Sequence, residues 1–281
     1  MRRSGRMAKW VAAAAAAAAR IVTVGVIVTT GVIVTTGVIL AACSTTTSHN
    51  NDNLGQKATP QKQAATNVQL AIEFMKLNKM AESRDTIERA MKEDPGNADV
   101  QLTAGIIYER LGNIKGATKA YAAAARIGKN DPNVQNTYAG FLCRSGKAAE
   151  GEKLFVEVSR NAVYTTPEVA LVNAGVCVSS IGDLVDAERY FNRALMVRPN
   201  MPEAMLQLGN VAFDRGDAAQ AVDVVQRYLA INPASAEVLW LGVRAERKAG
   251  DNTAAAAFAR RIQAEFPDSQ QAQMMRTGVD R

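Results

Sequence analysis

Residues 168–199 read EVALVNAGVCVSSIGDLVDAERYFNRALMVRP, two apolar-patterned segments on either side of Gly182 with a proline where the second one stops. The punctuation returns further on: Gly182, Gly216 and Gly250 are spaced 34 residues apart, and so are Pro199, Pro233 and Pro267. Small and apolar residues return with them. Leu171, Ala174 and Gly175 stand before the first glycine and Ala187, Phe191 and Ala194 after it; one period on come Met205, Leu208, Gly209, Ala221, Val225 and Tyr228. A chance run of amphipathic helices has an apolar period near 3.6 but no such register of glycine and proline. Glycine supplies the left-handed conformation that ends a helix, and proline cannot continue a helix interior, so each period is a helix, a tight turn and a second helix.

An interval of 34 is the length of the tetratricopeptide (TPR) unit. Upstream, Ala104, Gly105, Tyr108, Gly112, Ala117, Tyr121 and Ala124 form a clear copy, and Leu70, Ala71, Phe74, Ala90 and Pro95 an earlier one. Between them and Glu168 lie Ala139, Leu142, Gly146 and Phe155, with a two-residue extension around Thr165 and Thr166. The expected fold is therefore all-α, a right-handed TPR solenoid of about six helix-turn-helix repeats at 64–97, 98–131, 132–167, 168–201, 202–235 and 236–269, with 270–281 as a tail. An ordinary helical bundle is the competing reading.

The N-terminal region has a different composition. Arg2, Arg3, Arg6, Lys9 and Arg20 precede the apolar stretch 21–42, and no acidic residue occurs before Asp52. Basic residues ahead of an apolar run and small residues mark an export signal, although this run is long enough to span a bilayer. Its end, Leu40-Ala41-Ala42-Cys43, resembles the lipobox of bacterial lipoproteins. That resemblance implies cleavage after residue 42, acylation of Cys43, and, with Ser44 in place of an aspartate, sorting to the outer membrane with the domain facing the periplasm. A permanent membrane helix with Cys43 at its edge is the alternative. Several acyl chains anchor stably where one is marginal. Residues 43–63, polar and poor in apolar side chains, read as a flexible tether. Losing the five basic residues of the signal brings Lys plus Arg from 33 to 28 against 27 acidic residues, so the formal charge falls from +6 to +1 and the basic composition says little about nucleic acid.

Chemistry finds few suppliers. The single histidine, His49, lies in the tether, so a histidine-dependent triad or zinc site has no donor in the repeats, and the glycines sit at turn and packing positions, not in a phosphate loop. No enzyme, cofactor, metal or small-molecule substrate is expected. Cys143 and Cys177 fall one unit apart on consecutive first helices, which pack side by side in such a stack; they form a disulfide in an oxidising compartment, or remain two buried thiols.

The runs Asn136-Thr137-Tyr138-Ala139-Gly140-Phe141-Leu142-Cys143, Asn173-Ala174-Gly175-Val176-Cys177, Tyr164-Thr165-Thr166-Pro167 and Ala187-Glu188-Arg189-Tyr190-Phe191 resemble the central units of the type IV pilus biogenesis and stability lipoproteins, the PilW/PilF kind. The sequence departs from that family in its expanded apolar signal and in the small Ala255 and Ala259 of the last unit. The resemblance implies a pilotin-like accessory that helps the outer-membrane secretin localise or multimerise, or that stabilises the fibre. A general envelope scaffold for peptidoglycan or outer-membrane machinery shares fold and anchor, and only the central Asn, Gly and Cys runs separate the two. First helices line the inner face of such a stack. Their positions place Ile72, Met75, Leu102, Ile106, Asn133, Asn136, Val172, Val176, Leu206, Asn210 and Phe213 in a partner-binding groove, continued by Trp240, Arg244 and Arg247. An apolar stripe with interspersed Asn suits an extended or helical peptide. For Asn136 and Asn173 a hydrogen bond between helices is the competing use.

Overall fold

The computed structural model describes residues 59–277, within a compact unit Gln56–Arg281. The stretch read as an export signal, Cys43 and most of the stretch read as a tether lie outside the described residues. Those residues form thirteen helices and no strand. Six antiparallel pairs come first: α1 (Pro60–Lys76) with α2 (Met80–Glu93), α3 (Ala98–Arg110) with α4 (Ile114–Ile127), and α5 (Pro132–Arg144) with α6 (Ala148–Ser159). Then follow α7 (Pro167–Ser179) with α8 (Leu184–Val197), α9 (Pro202–Asp214) with α10 (Ala218–Ile231), and α11 (Ala236–Ala249) with α12 (Asn252–Glu265). Each first helix packs on its own second helix and on the first helix of the next pair, so the fold is a TPR solenoid. The chain enters it at Pro60, capped by the Thr59 hydroxyl, which places the start of the first pair four residues inside the stretch read as tether.

The turn inside each pair is built the same way six times. Gly112, Gly146, Gly182, Gly216 and Gly250 all have positive φ, and Asn78 takes the position in the first pair at φ 57°. At each, the left-handed residue donates its N–H to the carbonyl three residues back, and the next residue donates to the carbonyl five back, as in Gly216 to Phe213 and Asp217 to Ala212. This pair of bonds satisfies carbonyls that the helix end would leave orphaned. In four of the six pairs the residue after the glycine also caps the second helix: the side chains of Asn113, Asp183, Asp217 and Asp251 accept from backbone N–H groups two or three residues on, whereas Lys79 and Lys147 at that position make no side-chain cap. A two-residue Gly-Asx unit thus stops one helix and starts the next.

Close packing within a pair depends on missing side-chain volume. A Cβ on Gly105 would lie 2.9 Å from the Tyr121 ring, and one on Gly175 would lie 2.6 Å from the Phe191 ring. Ala117, Ala187 and Ala221 are fully buried on the second helices α4, α8 and α10. The extension in the third unit is absorbed by the loop after α6, where Tyr164 folds back onto Val158 and Ala170. In the last pair Phe258 lies over Gly242, and α13 (Gln270–Thr277) supplies Ala272, Met274 and Met275, so larger side chains elsewhere offset Ala255 and Ala259. The stretch read as a tail therefore contains a helix that stacks on α11 as a seventh first helix and covers the end of the core.

Gly216→Ala forces an L-residue into φ 89° and is expected to lower stability by about 1–2 kcal/mol. Gly96→Ala, in a turn with open space around the added methyl, leaves stability unchanged or slightly higher. Chemical denaturation of both variants checks the pair of outcomes.

Candidate protein-binding groove

The face of the first helices turned away from the second helices carries the candidate site. At its centre Cys143 of α5 and Cys177 of α7 are joined as a disulfide with Cα atoms 5.5 Å apart. Cys177 is only 3% exposed, and its partner is half-buried. Gly151 on α6 makes room for this bridge, because a Cβ there would collide with Cys143 Sγ and lie 2.8 Å from the Ala139 carbonyl oxygen. The bridge ties two consecutive repeats across a closed loop of 34 residues.

Above the disulfide lies a cavity of about 540 Å³, lined by Asn136, Thr137, Gly140 and Arg144 from α5, Phe155 from α6, Asn173 and Val176 from α7, and Ser180 at the C-cap of α7. The amide of Asn173 donates to Asn136 Oδ1 at 3.3 Å, so the two side chains meet each other on the cavity wall and keep further donors and acceptors for an occupant. Val176 is 43% exposed, a large apolar side chain presented to the opening. A second cavity of about 310 Å³ lies between α1 and α3, where Ile72 and Leu102 face each other with Val68, Gln69 and Thr103 around them. Both have the apolar wall and few convergent polar groups typical of binding sites.

The remaining expected residues sort by what they touch. Met75 packs half-buried on the first-pair core, and Ile106 lies against the Tyr121 and Phe141 cluster. Asn133 is exposed in the first turn of α5 and lines neither cavity. Val172 is a correction: it is 4% exposed and belongs to the core, because α7 is covered on nearly every side by α5, α6, α8 and α9. Trp240 is likewise buried, at 8%. Leu206 and Phe213 pack partly buried at the edge of the last core cluster, and Asn210 accepts from Arg244 Nη2 at 3.0 Å.

Charged neighbours of the site are less legible from helix position. Arg144 forks onto Glu109 of α3 with bonds of 2.7 and 3.0 Å, and the Tyr121 hydroxyl donates to the same carboxylate at 2.8 Å. The Arg144 hydrogen bond, chiefly, holds the Glu109 carboxyl below its ordinary value, and burial together with Glu109 raises the Tyr121 hydroxyl. This bridge fixes the guanidinium that borders the central cavity. The signal in the sequence was the i to i+35 pairing of Glu109 and Arg144, which only an aligned stack of repeats brings together.

A profile of the tetratricopeptide repeat family matches residues 74–140 and 182–245. The segment between them holds the two-residue extension and both bridged cysteines. The type IV pilus assembly protein PilF of Pseudomonas aeruginosa is 20% identical over 202 residues, which is 72% of this chain and 80% of that protein. The crystal structure of PilW, described as a widely conserved type IV pilus biogenesis factor, superposes with a TM-score of 0.65 at 28% identity over 75% of this chain and 97% of PilW. The solved structure of P. aeruginosa PilF has the same fold at a TM-score of 0.60 and 19% identity, over 79% of this chain and all of that one. Fold and repeat pattern together make this a tetratricopeptide-repeat protein. Within that class it is homologous to PilF and related in structure to PilW.

Two measurements check the site. Without reductant, neither Cys143 nor Cys177 is expected to react with iodoacetamide in the folded protein, and Cys177→Ser should lower stability by about 3–4 kcal/mol on the chain-entropy account of a loop this long. The Glu109 carboxyl titrates lower in the folded state than its ordinary 4.5, so it contributes stability above that pH and loses it as pH falls through the depressed folded value. As the pH falls from above 4.5 to below it, the drop in melting temperature should be shallower in Arg144→Ala than in the parent; equal slopes contradict the bridge.

Proposed function

We propose that this protein is a non-enzymatic outer-membrane lipoprotein of type IV pilus biogenesis, held by acyl chains on Cys43, whose groove binds a segment of the secretin or of another pilus assembly protein. The relationship to PilW over three quarters of the chain is the observation that carries the reading. The two cavities supply the physical means. They expose apolar walls, joined in the central cavity by the paired amides of Asn136 and Asn173, a surface on which an extended or helical segment buries apolar side chains while its backbone finds partners. The lipid confines the domain to the membrane, and the groove then holds its partner at raised effective concentration. Catalysis has no part in this account; the role is to place one envelope component beside another.

In a strain lacking the gene, complementation with Leu102→Asp or Asn136→Ala is expected to reduce heat-resistant secretin multimers and surface fibres while the melting temperature of each purified variant stays within a few degrees of the parent. Unchanged assembly in both variants contradicts the groove. Cys43→Ala should move the protein from the outer-membrane fraction; unaltered fractionation contradicts the anchor.

A further inference from the structure

The C-terminal end of the groove differs in chemistry from the rest. Phe213 of α9 is half-buried, and two cations converge on its ring from α11: the Arg244 guanidinium at 4.5 Å from the ring centroid and Lys248 Nζ at 4.6 Å. Arg244 also donates to Asn210, and Lys248 donates to the Phe213 carbonyl oxygen at 3.1 Å. The ring face and the carbonyl set both cations in place. Neither has a carboxylate within ion-pair distance among the described residues. Arg144, by contrast, is neutralised by Glu109, and Arg215 by Glu188. Arg244 Nε is fully buried and has no acceptor, a donor that a protein interior or interface ordinarily satisfies.

Two cations held side by side on one ring, with no carboxylate beside either, make this end of the groove a place where an incoming anion is attracted. We propose that Asn210, Phe213, Arg244 and Lys248 form a subsite for an acidic side chain, aspartate or glutamate, within the partner segment that occupies the groove. This rests on the groove reading above and adds a chemistry and a direction to it: aliphatic pockets at α1–α3, amides at α5–α7, and an anion subsite at α9–α11. The acid is an internal residue and not a chain end, because α13 stacks beyond α11 and the first-helix face continues past Arg244. The carboxylate accepts from the guanidinium, in the charge-assisted geometry that favours arginine, while its stem lies against Phe213.

The test is selection of a displayed random dodecapeptide library on the purified protein, followed by affinity measurement of an enriched peptide synthesised with both ends blocked. Enrichment of Asp or Glu at one position is expected, together with at least a tenfold loss of affinity when that residue is replaced by its amide. The same loss is expected when Arg244→Gln or Lys248→Gln meets the parent peptide, with no further loss when the variant meets the amide peptide. Lys248 is exposed, so its replacement leaves the fold intact even if Arg244→Gln does not. Enriched peptides without an acidic position, or acidic peptides that bind both variants as well as the parent, overturn the subsite and leave the groove standing. Binding only by peptides with a free C-terminus also overturns it, in favour of chain-end capture. Absence of any enriched peptide sinks the groove reading itself and the subsite with it.

Discussion

The stack depends on how closely two helices of one pair can approach. Where Gly105, Gly175 and Gly242 stand, an aromatic ring from the second helix lies directly against the backbone of the first, at distances that leave no space for a methyl group. Apolar burial supplies the favourable term, on the order of 1.5–3 kcal/mol for each large side chain removed from water. Fixed contact distance supplies the geometry, because every pair then presents its neighbour with the same surface. Tyr121, Phe155, Phe191 and Val225 are buried at the same repeat position on the successive second helices α4, α6, α8 and α10, which is what a repeated interface of constant thickness produces.

Constant pairing has a consequence on the other face. Residues not needed against the second helix are free to face the groove, and those at matching heights on adjacent first helices come within reach of one another. Asn136 meets Asn173, Asn210 meets Arg244, Glu109 meets Arg144, and Cys143 meets Cys177. None of these pairs is local in sequence. Each lies one unit apart, so the groove chemistry is written in steps of one repeat, and the disulfide locks the step between the third and fourth units.

Much of this was readable without coordinates. The 34-residue register of Gly and Pro located the pairs within a few residues, since helix-stopping conformations have few residue types able to adopt them. The first turn escaped that reading because Asn78 takes the left-handed position in place of glycine. The Asx cap beside four of the five glycines is written in Gly112-Asn113, Gly182-Asp183, Gly216-Asp217 and Gly250-Asp251, a weaker signal than the glycine itself because Asn and Asp are also common in ordinary turns. Adjacent first helices brought the cysteines together as their spacing suggested. Position on a helix did not separate groove from core where first helices are apolar all round, so Val172 and Trp240 read as exposed and are buried. Partners across units, such as Arg244 on Phe213, depend on side-chain reach that no periodicity encodes, and α13 is too short to stand out from a polar tail.

The central claim is that the first-helix face contacts another envelope protein while the outer turns do not. A photo-crosslinking amino acid placed at Val176, at the mouth of the central cavity, and separately at Val185, exposed at the start of α8, puts that claim to one measurement in living cells. The account predicts a discrete crosslink to a pilus assembly component from position 176 and none from position 185. A crosslink from 185 alone would contradict it.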